Sequence, residues 1–191
     1  MAKENINQSA PVEETLNVQE SLFLKYKKAI IGGVVAVVVI IAGAIVYKNY
    51  IAAPREAKAS TILAKGQDYF NNGDFEKALK GDKKDFPGFE AVASEYSSTD
   101  AGNLANLYAG LCYAQTGKWQ EAANCIEKFS AQDDQMISPA AEAALGNVYA
   151  HLNQLDKAVS CLKSAAKKAD NNSLSPTFLI QAGEILSLIH I

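Results

Sequence analysis

The apolar segment from Ala29 to Val46 constrains this chain more than any other feature. Its eighteen residues, AIIGGVVAVVVIIAGAIV, include no charged and no strongly polar side chain. As an α-helix, at about 1.5 Å per residue, the segment would be roughly 27 Å long, which matches the hydrocarbon core of a bilayer. In lipid the backbone must satisfy its own hydrogen bonds, so a single crossing requires a helix. We therefore predict a transmembrane helix over residues 29–47.

A buried core helix and a cleaved signal peptide are the alternatives for this segment. A core helix normally carries a polar face, which this segment lacks. The small residues Ala42-Gly43-Ala44 resemble a signal-peptide cleavage site. However, a signal peptide begins with a short basic region, whereas the 28 residues before this segment contain four glutamates. An uncleaved anchor is therefore the interpretation that we carry forward.

Lysines next to the apolar segment indicate its orientation. A tight cluster, Lys25, Lys27 and Lys28, precedes it directly, and the positive-inside rule then places the N-terminus in the cytoplasm. Further cations follow within about twenty residues, which leaves the reverse orientation open. Residues 1–28 are polar and acidic, so we predict a disordered cytoplasmic tail there. The rest of the chain would then lie outside the cytoplasm.

Internal repeats follow the apolar segment. The segments Tyr108–Phe129 and Ala144–Ala165 align without a gap at a constant offset of 36 residues. A more distant copy begins at Gly66 and contains the same succession of small and aromatic residues. Such a pattern predicts pairs of helices that approach closely at Gly66, Gly110 and Gly146 and that reverse direction at Gly73, Gly117 and Asn153. A single pair cannot bury its apolar face, so neighbouring pairs must stack.

This pattern of glycine, tyrosine and alanine positions resembles the tetratricopeptide repeat family over residues 60–185. The resemblance implies an all-α fold, in which an α-solenoid of about three helical hairpins and a truncated fourth follows the N-terminal transmembrane helix. Residues 48–59 would be a linker or a helix extension. The insertion Gly81–Phe89 would be a simple loop or a lip over the groove. The last six residues, 186–191, match the translated end of a transposon adapter, and we expect them to be non-native. The alternative is a genuine amphipathic tail.

In this family the first helix of each hairpin lines a concave, ligand-binding groove. Carried over by register, the candidate groove residues are Gln67, Phe70 and Asn71 in the first repeat, Leu107, Leu111 and Gln115 in the second, and Asn147 and His151 in the third. The same register includes Leu63 and Ala143. This mixture of apolar and amide side chains suits an extended peptide or a helix better than a strongly charged ligand.

Signals of chemistry are weak throughout the sequence. Gly117-Lys118 fails as a phosphate-binding loop because Cys112 replaces the first glycine and Trp119 replaces the hydroxyl residue. The three cysteines have neither the spacing of a zinc site nor that of a disulfide framework. From Ile51 onward the chain has 13 basic and 17 acidic residues, which does not favour nucleic acid as a partner. We predict neither an enzyme nor a cofactor.

The layout of one anchor and one repeat domain is similar to that of bacterial inner-membrane proteins with a periplasmic tetratricopeptide domain, among them the ancillary subunit of the Sec translocon. This resemblance implies a scaffold or chaperone-like protein that binds polypeptides in the cell envelope. The alternatives are an adaptor for one folded partner in an envelope or cell-division complex, and a cytoplasm-facing regulator if the topology is reversed. In each case the partner is a protein or peptide.

Overall fold

The computed structural model of the chain describes residues 10–82 and 84–189, with side chains from Tyr26 onward. These residues lie in helices and in the turns between them, and they form no β-strand. The chain divides into two compact units, Met1–Ile51 and Ala52–Ile191. The predicted all-α class is therefore confirmed.

Helix α1, Ala10–Tyr47, forms most of the first unit, and a π-helical turn, Lys48–Ala52, follows it. Residues 10–28 are helical, which differs from the disordered tail that the sequence predicted. Glutamate, leucine and glutamine are good helix formers, and Pro11 lies in the first turn, where proline is tolerated. Residues 1–9 of the predicted tail lie outside the described residues.

The apolar part of α1 is exposed along its whole length. Among the described residues, this is the helix that is long and apolar enough to cross a membrane, and none of its apolar window is buried. The exposed fraction of Ile40, for example, is 69%. A buried core helix, which was one alternative for this segment, does not fit this exposure.

The second unit is built from short helices that pack in sequence order. They are α2 (Ala53–Asn71), α3 (Phe75–Lys80), α4 (Phe89–Glu95), α5 (Asp100–Gln115), α6 (Trp119–Ile126), α7 (Ile137–His151), α8 (Leu155–Ala169) and α9 (Ser175–Ile189). Helices α5 and α6 form the second repeat and α7 and α8 the third, while α2 pairs with both α3 and α4 in the first. The predicted helical solenoid is confirmed. Residues 48–59, predicted as a linker or a helix extension, are helical throughout.

Backbone conformation explains the sharp reversals between paired helices. Gly73, Gly117 and Asn153 have positive φ angles of 78°, 74° and 58°. This left-handed conformation ends a helix and lets the chain turn back within three residues. The sequence prediction for these three positions is confirmed.

Small residues allow close helix packing in the second and third repeats. A Cβ on Gly110 would overlap the Ile126 side chain, and one on Gly146 would lie 3.0 Å from Cγ of Leu162. The first repeat differs, because a Cβ on Gly66 would overlap aromatic rings that the insertion supplies. The close approach therefore occurs in every repeat, but against a different partner in the first.

The insertion in the first repeat is part of the core. Phe86 is 2% exposed and Phe89 is 0% exposed. Asp82 organises the loop, because its Oδ1 accepts hydrogen bonds of 2.9 to 3.0 Å from the backbone amides of residues 84–86 and its Oδ2 accepts one of 2.7 Å from the Tyr69 hydroxyl. These bonds hold the pKa of Asp82 well below its usual range. The insertion is thus neither a simple loop nor a lip over the groove.

The N-terminus of α5 is capped from two directions. The Thr99 hydroxyl accepts the Gly102 N–H at 3.0 Å. From α2, the Glu56 carboxylate accepts the N–H groups of Asp100 at 2.7 Å and Ala101 at 3.0 Å. A negative charge at this end of a helix also interacts favourably with the helix dipole. Glu56 therefore connects the first turn of α2 to the second repeat.

Helix α9 continues through the predicted non-native segment as far as Ile189. Its buried side chains, Phe178, Ala182 and Ile185, form a core cluster with α8, and Leu186 packs against the edge of that cluster. The helix therefore shows no break at residue 186. Residues 190–191 lie outside the described residues.

Candidate protein-binding surface

The predicted groove positions form three rows across α2, α5 and α7. The inner row comprises Leu63, Leu107 and Ala143, whose exposed fractions are 5%, 7% and 3%. All three belong to the hydrophobic core clusters. Leu107 was predicted to face a ligand, but it is buried because neighbouring first helices pack directly against each other at this level. The inner row stabilises the solenoid and does not form a surface.

The middle row changes from half-buried to exposed along the solenoid. Gln67 is half-buried, and its Nε2 donates a 2.9 Å hydrogen bond to the Tyr108 hydroxyl. Leu111 is half-buried and packs against the core. Asn147 is exposed on α7. In this row, Asn147 presents the most accessible side chain to a partner.

Tyr108 fills the space between α2 and α5 where a ligand was expected. The edge of the Phe70 ring meets it at a centroid distance of 5.4 Å, and Phe89 stacks on it at 5.1 Å. Phe70, a predicted groove residue, is therefore held in an aromatic cluster. Tyr108 was not among the predicted site residues. The third repeat has Ala144 at the equivalent position, and this difference in side-chain size was the signal that could have indicated that Tyr108 fills the space.

The outer row is exposed in every repeat. Asn71, Gln115 and His151 are the last residues of α2, α5 and α7, and each is exposed. The His151 ring stacks on Trp119 at a centroid distance of 3.8 Å and an interplanar angle of 2°. We use the term candidate surface for the outer row together with Asn147.

The candidate surface offers uncharged hydrogen-bonding groups. Within residues 10–82 and 84–189, the amides of Asn71, Gln115 and Asn147 form no hydrogen bond with other protein groups. A carboxamide carries both donors and an acceptor, so it can bond to the N–H and C=O groups of a peptide backbone. The surface thus has the chemistry to bind an extended polypeptide without selecting for charge.

Tyrosines fix the repeats against each other beneath this surface. In each repeat the tyrosine hydroxyl donates to a carboxylate: Tyr69 to Asp82, Tyr113 to Glu90 and Tyr149 to Glu127. Glu90 and Glu127 belong to the repeat before their tyrosine, so these two bonds cross a repeat boundary. The bond to Glu127, together with burial, raises the pKa of Tyr149 to about 12. Hydrogen bonds between neighbouring repeats therefore hold together the helices that carry the candidate surface.

The cysteines of the repeat domain have raised pKa values. The described residues contain no group of three or more His, Cys, Asp or Glu side chains that could hold a metal ion. Burial raises the pKa of Cys112 to about 12, and it also raises the pKa values of Cys125 and Cys161. Thiols with raised pKa values remain protonated and are poor nucleophiles at neutral pH. These cysteines act as small apolar side chains in the packing.

Comparison with known proteins agrees with this architecture. A family model described as a tetratricopeptide repeat-like domain matches residues 21–175. The match covers most of the chain and includes the apolar segment of α1 as well as helices α2 to α8. No curated protein matches the chain. On its sequence and on its helical solenoid, the chain belongs to the tetratricopeptide repeat-like domain family.

Proposed function

We propose that this protein is a membrane-anchored, protein-binding scaffold of the bacterial cell envelope. The exposed outer row carries the proposal, because Asn71, Gln115 and His151 repeat one hydrogen-bonding position across three consecutive repeats. Domains of this family serve as protein-interaction modules. A regular row of donors and acceptors matches the regular backbone of an extended partner.

The character of the surface favours weak and reversible binding. An amide on this surface gives up a hydrogen bond to water when it bonds to a partner. Each such contact therefore contributes a net free energy of about 0.5–1.5 kcal/mol. No large apolar anchor projects from the candidate surface, since Leu107 is buried and Phe70 and Leu111 are half-buried. Such a surface would tolerate many polypeptide sequences, as a chaperone-like scaffold requires.

Membrane anchoring is the second part of the proposal. The exposed apolar segment of α1 has the length of one bilayer crossing. Lys27 and Lys28, next to its start, favour a cytoplasmic N-terminus and therefore an extracytoplasmic repeat domain. Attachment to a membrane raises the local concentration of the repeat domain near partners in the same membrane. Polypeptides emerging from the Sec translocon are the clients that we propose, on the basis of this layout.

A photo-crosslinking experiment on the full chain tests the binding role. A photoreactive amino acid is placed at Gln115 or Asn147, with a matched control at Lys163, which is exposed on α8. We expect protein adducts from the two candidate positions and few from the control. Many adducts that disappear when protein synthesis stops would support emerging clients, and one stoichiometric adduct would support the adaptor. Equal adducts from all three positions would refute the candidate surface.

Topology requires a separate measurement. Reporters active only inside or only outside the cytoplasm can be fused after Asn49 and after the full chain. Activity outside the cytoplasm at both positions would support the envelope role. Activity inside would overturn it and leave the cytoplasm-facing regulator.

A further inference from the structure

A polar cleft lies on the other side of α5 from the candidate surface. Asn106, in the cleft, and Gln115, on the candidate surface, are nine residues apart, which at 100° per residue places them on opposite sides of the helix. The cleft has a volume of about 700 Å³. That volume lies in the range of pockets that bind ligands.

Unequal helix lengths explain why the cleft exists. Helix α5 has 16 residues, whereas its neighbours α4 and α6 have 7 and 8. Beside the short helices, the face of α5 that carries Asn103 and Asn106 lines the cleft, while Ala101 and Ala105 on the same half of the helix are buried. In the third repeat, α7 and α8 both have 15 residues, and the cavity beside them is about 150 Å³. The cleft is therefore a consequence of local architecture in the second repeat.

The lining of the cleft is dominated by hydroxyl and amide side chains. Ser94, Ser97 and Ser98 line one wall, and their hydroxyls form no hydrogen bond within the part of the chain that the structure describes. Glu90, Asp100 and Lys128 place two acidic groups and one basic group at the cleft. An apolar ligand would leave these polar groups unsatisfied, which is unfavourable.

A segment of the chain itself, at Ser130, already forms backbone hydrogen bonds with a side chain of this cleft. Asn103 uses both ends of its amide on one residue, since its Nδ2 donates to the Ser130 carbonyl at 2.8 Å and its Oδ1 accepts the Ser130 N–H at 2.7 Å. The segment around Ser130 is not helical. Asn103 thus bonds to both backbone groups of one residue that lies outside a helix.

Asn106 lies three residues further along the same face of α5. Its Nδ2 donates a long, 3.3 Å hydrogen bond to the Gly102 carbonyl. Its Oδ1 accepts no hydrogen bond from the residues that the structure describes. The Oδ1 acceptor of Asn106 is therefore free, whereas the Oδ1 of Asn103 is occupied by the Ser130 N–H.

We propose that the polar cleft binds an extended segment of another polypeptide, with Asn106 bonding to the backbone of one residue as Asn103 bonds to Ser130. The segment would carry small or polar side chains, because serine hydroxyls and opposite charges surround it. This site goes beyond the proposed scaffold function and does not depend on the candidate surface.

The test uses the full chain in lipid nanodiscs and a pool of random decapeptides. Peptides selected by binding are measured by fluorescence anisotropy against three variants. Asn106→Ala removes the proposed backbone contact, and Ser94→Trp fills the cleft without breaking a hydrogen bond seen in the structure. Lys163→Ala is the control, since Lys163 is exposed on α8 and lies outside both the cleft and the candidate surface. Circular dichroism checks that each variant retains its helical content.

We expect Asn106→Ala to weaken binding by about fivefold or more, as the loss of two backbone hydrogen bonds implies. Ser94→Trp should weaken it at least as much because the indole occupies the space of the peptide, and Lys163→Ala should change it by less than twofold. Peptides rich in serine, asparagine and glycine should dominate the selected set. Unchanged binding in both Asn106→Ala and Ser94→Trp would overturn the cleft proposal and leave the scaffold function intact, because the peptide would then bind outside the cleft. Absence of binding at 1 mM peptide would also overturn it.

Discussion

Phe89 holds the insertion in the core of the first repeat, and its removal should be costly. The side chain is 0% exposed. It stacks on Tyr108 at 5.1 Å and meets the edge of Phe86 at 5.5 Å. Its ring also lies where a Cβ on Gly66 would be. Phe89→Ala therefore leaves a cavity bounded by α2, α5 and the insertion.

The expected loss of stability follows from this burial. Replacing a buried phenylalanine by alanine destabilises proteins by about 3–5 kcal/mol, through lost apolar transfer and an unfilled cavity. That range of free energies already includes the loss of the ring contacts with Phe86 and Tyr108. Because Phe89 is fully buried between two aromatic rings, we expect about 4 kcal/mol. Leu179→Ala is the matched control, since Leu179 is 53% exposed on α9 and should change stability by less than about 1 kcal/mol.

A second substitution tests the geometry itself. Gly66→Ala alone should destabilise the chain, because the new methyl group would overlap Phe86 and Phe89. In the double variant the methyl group still meets Phe86 but no longer meets Phe89. The two losses should therefore not add, and we expect a coupling of at least about 1 kcal/mol between Gly66 and Phe89.

Trp119 provides the assay, because the chain contains one tryptophan and it lies in the second repeat. Urea unfolding of the full chain in detergent, followed by Trp119 fluorescence, gives the free energy of unfolding for each variant. A loss below about 1 kcal/mol for Phe89→Ala, against the expected core range, would refute the role of the insertion. Strict additivity in the double variant would refute the packing of Phe89 against Gly66.

Three further predictions concern single side chains. Glu56→Ala should lower the free energy of unfolding by about 1–2 kcal/mol through loss of the α5 cap, while the exposed control Glu76→Ala should change it by less than about 0.5 kcal/mol; urea unfolding measures both. The pKa of Tyr149 is raised from 10.0 to about 12, so its contribution to stability is complete below pH 10 and is lost as the pH rises towards 12. Tyr149→Phe should therefore flatten the decline of stability above pH 10, and a tyrosinate absorbance titration should lose its group near pH 12. Burial raises the pKa of Cys112 to about 12, so iodoacetamide at pH 8 should modify this thiol only after denaturation, as mass spectrometry would show.

Local sequence determined much of the solenoid. The left-handed positions at Gly73, Gly117 and Asn153 follow from conformational preference alone, and the structure confirms them. The insertion could not be interpreted in this way. Its role depends on contacts between Phe89 and Tyr108, which are nineteen residues apart, and no local preference encodes such a contact.

The candidate surface could be predicted only in part. Family register assigned the candidate groove residues to positions that lie on α2, α5 and α7, but register does not give the distance between neighbouring helices. The inner row, including Leu107, is buried because those helices touch. The polar cleft was not predicted either, since it depends on α4 and α6 being short and on a loop returning to Asn103.

The cap on α5 also has a consequence for synthesis of the chain. Glu56 leaves the ribosome 44 residues before Asp100, whose N–H it accepts. At 5–20 residues per second, this separation corresponds to a delay of about 2–9 s. During that interval Glu56 lacks its hydrogen-bond partners on α5. The first and second repeats should therefore complete their folding together. The first repeat would then remain incompletely connected for several seconds during synthesis.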